Sequence, residues 1–351
     1  MIRVKLIGAT GYGGIGMIEL LRSHPETQLV ALVATQDTGK KISDVWPHLA
    51  GFCDMPILAA DAPEADVEAD IVVCSTPDRV GQALARDVLA KGMRLLDYSG
   101  DFRFNSAATY AEYAKRIGKE PEHLCPDLLP QTVYGLTELH RKEIAGSRIV
   151  GNPGCFAMSC ILGLAPAAKH SLIEPRGIVC DCKSGISGAG KKAALTFHYP
   201  ERYDTMNAYR LTGHQHVMEI EHELTRLAGK PMNVTFTPQV VPACRGILST
   251  LYGLLPAGVT QAKVLDAYRA FYAGARFVRV LDAKDTVTTA HVRGSNFANV
   301  QVACDERTGT FRIISHIDNL MKGQAGSALQ NLNVMFGLDE ATGLDFPGRH
   351  P

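Results

Sequence analysis

The sequence lacks an excess of charge of either sign. Its 351 residues include 36 Lys and Arg against 36 Asp and Glu, so the formal net charge is zero. A balanced chain has no broad field of the kind that draws proteins onto nucleic acid or acidic membrane surfaces. We therefore expect a small-molecule substrate and neither nucleic acid nor a membrane as partner.

Long apolar runs are missing as well. The most apolar helical stretch, residues 156–168, is too short and too interrupted to cross about 30 Å of hydrocarbon. The opening residues MIRVKLI alternate as a strand does and lack the regions of a secretory signal. These two features predict a cytoplasmic protein.

Paired cysteines and metal-binding motifs are also absent. The nine cysteines are scattered from Cys53 to Cys304 without a CxxC pair, which is typical of reduced cytosolic thiols rather than of a disulfide framework. His214, His216 and His222 form a small cluster, but no HExxH motif accompanies them. We predict that the protein binds no metal.

What is present is an alternation of strand and helix patterns. The runs VKLIGA, LVALVAT, ADIVVCSTP and MRLLDYS are separated by helical stretches, which predicts βαβ units around a parallel sheet. Residues 104–147 are richer in charge and proline, and we interpret them as an insertion or a connection. The strand runs of residues 176–315 predict an antiparallel or mixed sheet. The boundary between the two domains is placed near residue 150.

The first strand runs into a glycine-rich turn. Gly8, Gly11 and Gly14 precede the helical stretch IGMIELLRSH, so backbone amides at a helix N-terminus face the ligand side of the sheet. This arrangement predicts a pyrophosphate site. Because the spacing is GxxGxxG rather than GxGxxG, a glycine turn without a ligand is the alternative.

The residues that follow the next two strands indicate which cofactor is bound. The second strand ends at Thr35 and Gln36, with Asp37 close by and lysines just beyond. Neutral and cationic neighbours favour the 2′-phosphate of NADP, although Asp37 could still accept a ribose hydroxyl. The third strand stops at Ser75 and Thr76, which either line the cofactor groove or cap an ordinary turn.

Cys155 is the candidate nucleophile. It follows Asn152, Pro153 and Gly154 and opens an apolar helical stretch, where the partial positive charge of a helix N-terminus lowers a thiol pKa. An inert core thiol is the alternative interpretation. The nearby histidines of GHQH are candidates to carry a proton to and from the attacked group.

Two further segments suit an anionic ligand. Arg103 closes the stretch LLDYSGDFR, and its guanidinium can hold a phosphate or a carboxylate. A surface salt bridge with Asp101 or Glu112 is the alternative. The glycine-rich turn SGISGAG, residues 184–190, allows the backbone to approach a ring or an oxyanion closely.

Six motifs occur in order along the chain: GATGYGG, SGDFR, GNPGCF, SGISGAG, GHQH and VPACRG. Together they resemble the N-acetyl-γ-glutamyl-phosphate reductase family, which is similar in fold and chemistry to aspartate-semialdehyde dehydrogenase. The resemblance implies an α/β protein with a Rossmann-type NADP-binding domain, residues 1–150, completed by residues 317–351. It also implies an α+β catalytic and dimerisation domain with a mixed sheet, residues 151–316. The C-terminal helix would return to the first domain, and the chain would form a homodimer or homotetramer.

The resemblance also implies roles for individual residues. Cys155 would attack the acyl phosphate of N-acetyl-glutamyl phosphate, NADPH would reduce the resulting thioester, and His216 with His214 would handle the protons. Arg103 matches the position that holds the leaving phosphate, and Ser99 and Arg245 match substrate-binding positions. The implied cofactor-binding residues are Gly8, Thr10, Gly11, Tyr12, Gly13, Gly14, Thr35, Ser75, Thr76, Ser184, Gly185, Ser187, Gly188 and Asn319.

The sequence departs from the commonest family pattern at two places and leaves three alternatives open. Gly100 stands where alanine is usual, and GCFAMSC replaces GCYPT; neither change removes a reacting group. The alternatives are an aspartate-semialdehyde dehydrogenase, a reductase of carrier-bound aminoadipyl phosphate, and a non-catalytic NADP-binding regulator. Gly154, where the aspartate enzymes usually have asparagine, argues against the first.

Overall fold

A computed structural model describes residues 1–350. The chain forms two compact units, Met1–Pro153 with Gln324–Asp345, and Gly154–Gly323 with the residues from Phe346 onward. The sequence placed the corresponding divisions after residues 150 and 316. Each unit is built around one sheet.

The first unit contains a parallel sheet. Its strands are β1 (Ile2–Ile7), β2 (Thr27–Val33), β3 (Ile57–Leu58), β4 (Ile71–Cys74), β5 (Arg94–Asp97), β6 (Thr132–Tyr134) and β7 (Ile149–Gly151). They lie in the order β3-β2-β1-β4-β5-β7-β6, and every pair is parallel. The predicted parallel, Rossmann-type sheet is confirmed.

Helices cover this sheet. They are α1 (Tyr12–Arg22), α2 (Ile42–Val45), α3 (Val80–Ala90), α4 (Ala107–Arg116), α5 (Thr137–Gly146) and, from the end of the chain, α10 (Gly326–Met335). All ten residues of α10 are buried, and the helix packs against α1 and α5. The expected return of a C-terminal helix to the first unit is therefore confirmed.

The segment that we interpreted as an insertion or a connection, residues 104–147, is part of this architecture. It contains α4, α5 and the edge strand β6, which pairs with β7. β6 spans only three residues, and such a length gives no readable alternation in a sequence.

The second unit contains a mixed sheet, as predicted. Its strands are β8 (Ile178–Ser184), β9 (Asn207–Ala208), β10 (Val234–Val240), β11 (Ile247–Leu254), β12 (Val278–Asp282), β13 (Ala298–Val302) and β14 (Thr310–Ile317). Their order is β12-β13-β14-β11-β8-β10-β9, with β8 parallel to β10 and antiparallel to β11.

One apolar helix forms the core of this unit. The helices are α6 (Cys155–Lys169), α7 (Tyr199–Arg202), α8 (His216–Ala228) and α9 (Gln261–Phe271). α6 is buried along nearly its whole length and packs on α8, β11 and β14. Within residues 1–350, no helix combines the length and the apolarity needed to cross a bilayer.

Candidate active site

Gly8 and Gly14, on either side of the turn after β1, leave no room for a side chain. Gly8 has a φ of +84°, and a Cβ there would lie 2.1 Å from the carbonyl oxygen of Ser75. A Cβ on Gly14 would lie 2.4 Å from the carbonyl oxygen of Gly8. Helix α1 then begins at Tyr12. Its N-cap residue is Gly11, so no side chain caps the first N–H groups of the helix. Its first backbone N–H groups, together with the helix dipole, form a suitable site for a phosphate.

Other predicted cofactor residues lie around this turn. Thr10 is buried just before α1, and a Cβ on Gly13 would lie 2.5 Å from Ser75 Oγ. The hydroxyl of Thr76 is buried without a hydrogen-bond partner in the described chain. Buried polar groups are normally hydrogen-bonded, so a bound ligand can supply the missing partner. The cradle and this hydroxyl fit a dinucleotide.

The region after β2 is open and carries a charge pair. Thr35 is exposed directly beyond the strand. Asp37 Oδ1 accepts a hydrogen bond from Lys40 Nζ at 2.8 Å. Lys40 thus occupies one oxygen of Asp37, the carboxylate that the sequence offered for a ribose hydroxyl.

The SGDFR turn is held by buried carboxylates. Asp97 Oδ1 accepts hydrogen bonds from the backbone N–H of Ser99, at 2.8 Å, and from its hydroxyl. Asp101 accepts from the backbone N–H of Arg79, at 2.7 Å, and from the side-chain amide of Gln82, at 2.7 Å. Burial raises the pKa of Asp97, and the neighbouring Asp101 carboxylate raises it further.

Arg103 is fixed at the end of this turn by carbonyl groups. Its Nε donates to the carbonyl oxygen of Asn152 at 2.9 Å, and its Nη2 donates to that of Tyr98 at 2.6 Å. The side chain is only 8% exposed. These two carbonyl oxygens fix the orientation of the guanidinium at the end of the turn.

In the second unit, Cys155 is the first residue of α6, and its side chain is half-buried. The backbone N–H of the preceding Gly154 donates to Oε2 of the buried Glu219 at 3.0 Å. A Cβ on Gly154 would lie 2.1 Å from Nε2 of His216. The imidazole of His216 therefore packs directly against the residue before the nucleophile.

The two histidines of GHQH pack against each other edge to face at the start of α8, with an angle of 67° between the ring planes. Their ring centroids are 4.8 Å apart, and the backbone N–H of His216 donates to Nδ1 of His214 at 3.2 Å. Phe156 packs its edge against both rings, with centroid distances of 6.0 Å. Both imidazoles are nearly buried, so their orientation is set by packing.

The SGISGAG turn follows β8 and is tied to distant parts of the same unit. Asn319 Nδ2 donates to Ser187 Oγ at 3.0 Å, and its Oδ1 accepts from the backbone N–H of Gly246 at 2.7 Å. Arg245 is ion-paired with the buried Asp318 at 2.9 Å. Asn319 thus links the turn to Gly246.

A cavity of about 650 Å³ in the second unit brings several predicted residues together. Its lining includes Cys155, His214, His216, Ser184, Gly185 and Gly188. Three other residues predicted for this unit, Ser187, Arg245 and Asn319, lie outside that lining.

Sequence reasoning missed part of this cavity. Arg202, Tyr209, Arg210 and Gln215 also line it. Tyr209, Arg210 and Gln215 lie just before or within GHQH, which was the one available signal, whereas no sequence signal pointed to Arg202. In the described residues, no three His, Cys, Asp or Glu side chains converge as metal ligands.

Two family models match the chain. The model described as semialdehyde dehydrogenase, NAD binding domain, matches residues 3–147. The model described as semialdehyde dehydrogenase, dimerisation domain, matches residues 155–319. The second match begins at Cys155.

Curated relatives match over nearly the full length. An N-acetyl-gamma-glutamyl-phosphate reductase from Citrifermentans bemidjiense is 44% identical over 346 residues, 98% of each chain. A protein of the same name from Desulforamulus reducens is 42% identical over 351 residues, the whole of both chains.

Solved structures share the fold. Aspartate semialdehyde dehydrogenase II from Vibrio cholerae, complexed with ASA, superposes with a TM-score of 0.70 at 16% identity, over 95% of this chain and 98% of that one. Aspartate semialdehyde dehydrogenase from Candida albicans, with NADP, gives 0.67 at 17% identity over the same shares.

Proposed function

The chain belongs to the N-acetyl-γ-glutamyl-phosphate reductase family, and we propose that it reduces N-acetyl-L-glutamyl 5-phosphate with NADPH. The products are N-acetyl-L-glutamate 5-semialdehyde and phosphate, as an oxidoreductase step of arginine biosynthesis. The observation that carries the proposal is the placement of Cys155 at the N-terminus of α6, with His216 Nε2 against the preceding glycine.

Cys155 is the nucleophile in this proposal. Its thiolate forms a bond to the acyl carbon, the bond from that carbon to the phosphate oxygen breaks, and phosphate leaves with its electron pair. The position at the start of a long helix favours the thiolate, because the N–H groups of the first turn stabilise negative charge. The thioester divides the reduction into two easier steps.

His216 handles the protons. Because Nε2 lies against Gly154, His216 is assigned to take the thiol proton before attack and to return a proton as the sulfur leaves the product carbon. His214 is assigned to orient His216, since its Nδ1 accepts the His216 backbone N–H.

The anionic leaving group is assigned to Arg103. Its burial and its two carbonyl partners support a fixed guanidinium that binds the phosphate oxygens as a fork. Ser99 is assigned to the same substrate through the turn that it shares with Arg103. Arg245 is retained as a substrate residue, with its orientation set by Asp318.

The glycine cradle after β1 and the SGISGAG turn are assigned to a nicotinamide cofactor, NADP rather than NAD. When bound, the cofactor supplies the hydride that converts the thioester to the aldehyde. The preference for NADP is supported by the Asp37–Lys40 pair, because a carboxylate engaged by lysine is a poorer acceptor for a ribose hydroxyl. Lys40 and Lys41 add positive charge for a 2′-phosphate.

We also propose that the protein acts in the cytoplasm as a homodimer or homotetramer. The dimerisation-domain match of the second unit supports self-association. One face of β11 supports it too, because Tyr252 and Leu254 are 37% and 58% exposed while Ser249 and Leu251 on the other face are buried. None of the nine cysteines, all within the described residues, forms a disulfide, which suits a reducing compartment.

The test is turnover in the reverse direction. Wild type, Cys155→Ala and Cys160→Ala are incubated with N-acetyl-L-glutamate 5-semialdehyde, phosphate and NADP⁺, and NADPH absorbance is followed. We expect activity in wild type and in the Cys160 control, which removes a fully buried thiol of the same helix, and none in Cys155→Ala.

Other outcomes separate the alternatives. A folded wild type that turns over only aspartate semialdehyde or a carrier-bound aminoadipate semialdehyde would overturn the substrate assignment. A wild type that binds NADPH yet turns over none of the three would favour the non-catalytic regulator. Equal rates with NAD⁺ would overturn the cofactor preference alone.

A further inference from the structure

We propose that Arg202 and Arg210 form a carboxylate-binding subsite that holds the α-carboxylate of an N-acylated substrate. The proposal rests on the function proposed above and extends it to how the substrate is selected. Both residues line the same cavity as Cys155 and His216. Neither arginine belongs to the six motifs that carry the family resemblance.

The two guanidiniums are oriented by neutral groups. Arg202 Nη1 donates to Asn207 Oδ1 at 2.8 Å, and Arg210 Nη1 donates to Gln215 Oε1 at 2.8 Å. Arg202 Nε donates to a backbone carbonyl oxygen, that of Glu201, at 3.2 Å. Amide and carbonyl oxygens fix an arginine without cancelling its charge. In residues 1–350, neither arginine forms an ion pair with a carboxylate.

Two other cations of this unit are ion-paired. Arg245 is paired with Asp318, which is fully buried, and Lys183 is paired with Asp181. Their charges are already balanced by the protein. The positive charge of Arg202 and Arg210 is instead left for a ligand of the cavity.

The cavity also lacks the opposite charge. Among the described residues that line it there is no Asp or Glu. A substrate with a free α-ammonium would therefore meet two arginines and no carboxylate partner, which disfavours it. Acylation of the nitrogen removes that charge and leaves the α-carboxylate, which an arginine fork binds well. The subsite thus selects an N-acyl amino acid over a free one.

The backbone at Arg210 gives independent support. Its φ is +44°, a left-handed conformation that non-glycine residues rarely adopt and that recurs at ligand-binding positions.

The experiment compares two substrates in the reverse reaction. N-acetyl-L-glutamate 5-semialdehyde is matched with its α-carboxamide, which has the same shape and no carboxylate charge. The proteins are wild type, Arg202→Met, Arg210→Met and the control Arg269→Met, which removes an exposed arginine of α9. We expect each pocket variant to raise KM for the semialdehyde about 10- to 100-fold, with kcat within about 3-fold.

The carboxamide shows whether the two arginines act on the α-carboxylate. With wild type its KM should already be raised by a similar factor, and the pocket variants should raise it no further, because the interaction they remove is absent. Equal losses on both substrates would overturn the proposal. A rise in KM for phosphate rather than for the semialdehyde would overturn it too, since it would assign the arginines to the leaving group.

A binding measurement separates this proposal from the proposed function. If wild type shows no turnover, the reaction assignment fails, and calorimetric titration of the same four proteins with N-acetyl-L-glutamate still tests the subsite. Weaker binding in both pocket variants but not in Arg269→Met supports it. Equal affinity in all four proteins overturns it.

Discussion

The carboxylate of Glu219 holds the backbone of Gly154, the residue before the nucleophile, through a 3.0 Å hydrogen bond across 65 positions of sequence. Glu219 itself is fully buried. The start of α6 is therefore fixed from α8, the same helix that begins with His216. A residue of the helix that begins with the proton carrier thus holds the backbone next to the nucleophile.

Removal of the Glu219 side chain should impair catalysis without touching a reacting atom. Glu219→Ala leaves the Gly154 N–H without this acceptor, which costs about 1–3 kcal/mol, and we expect kcat/KM to fall about 10- to 100-fold. Glu219→Gln retains an acceptor oxygen and should lose less. The rate at which iodoacetamide alkylates Cys155 should fall in the same order. Equal behaviour of the Gln and Ala variants would contradict a role through this hydrogen bond.

A methyl group on Gly154 should displace His216. The added Cβ would come within 2.1 Å of the imidazole Nε2, so we expect Gly154→Ala to lose most activity while its circular dichroism stays native. Gly274→Ala is the matched control, since nothing lies within 4 Å of its added Cβ. Normal activity in Gly154→Ala would show that His216 need not lie where the structure places it.

The glycine cradle makes a similar prediction for cofactor binding. Gly8→Ala combines a positive φ with a contact of 2.1 Å to Ser75, whereas Gly92→Ala has a φ of +80° and nothing within 4 Å. The positive φ alone costs an alanine about 1–2 kcal/mol at either position. Gly8→Ala should lower Tm further than Gly92→Ala and should abolish the NADPH fluorescence enhancement, which Gly92→Ala should retain.

Arg103 should tolerate lysine poorly. A lysine cannot donate to the carbonyl oxygens of Asn152 and Tyr98 in the geometry of a fork, although it keeps the charge. We expect Arg103→Lys to raise KM for phosphate about 10-fold or more in the reverse reaction and to leave KM for the semialdehyde nearly unchanged. This is the opposite of the pattern expected for Arg210→Met. An unchanged KM for phosphate would remove Arg103 from the phosphate site.

Stability should fall in mild acid because of His316. Burial lowers the pKa of this histidine from 6.5 to about 4, so between those values the unfolded chain binds a proton that the folded chain does not. The free energy of unfolding therefore falls as pH falls through this window, by about 2 kcal/mol between pH 7 and pH 5. Urea unfolding of His316→Gln should show a smaller fall, whereas the exposed His170→Gln should behave as wild type. If the free energy of unfolding of His316→Gln fell as much in acid as that of wild type, His316 would not be the cause.

The features that could be predicted from sequence are those with local causes. Gly14 is required by the backbone of Gly8 and Ala9 a few residues before it, and Cys155 follows a Pro-Gly pair and opens an apolar helix. Such signals are complete within one short stretch of chain. The alternation of strands and helices similarly indicates a parallel sheet before any tertiary contact is known.

The features that could not be predicted depend on contacts between distant residues. Nothing near Glu219 in sequence indicates that its carboxylate holds Gly154. Asn319 stays a predicted cofactor residue, but its hydrogen bonds to Ser187 and Gly246 could not be foreseen from the sequence. Arg202 and Arg210 lie in a stretch without periodicity, and only folding brings them to the cavity.

The arrangement of the cavity also separates two kinds of evolutionary change. The reacting side chains of Cys155 and His216 stand at the first residues of packed helices. The two unbalanced arginines stand in the largely exposed excursion of residues 190–213 between β8 and α8. Substitutions in that excursion can accumulate with little effect on the packing of the core. A lineage can therefore change its substrate through this surface segment while Cys155 and His216 keep their positions and their chemistry.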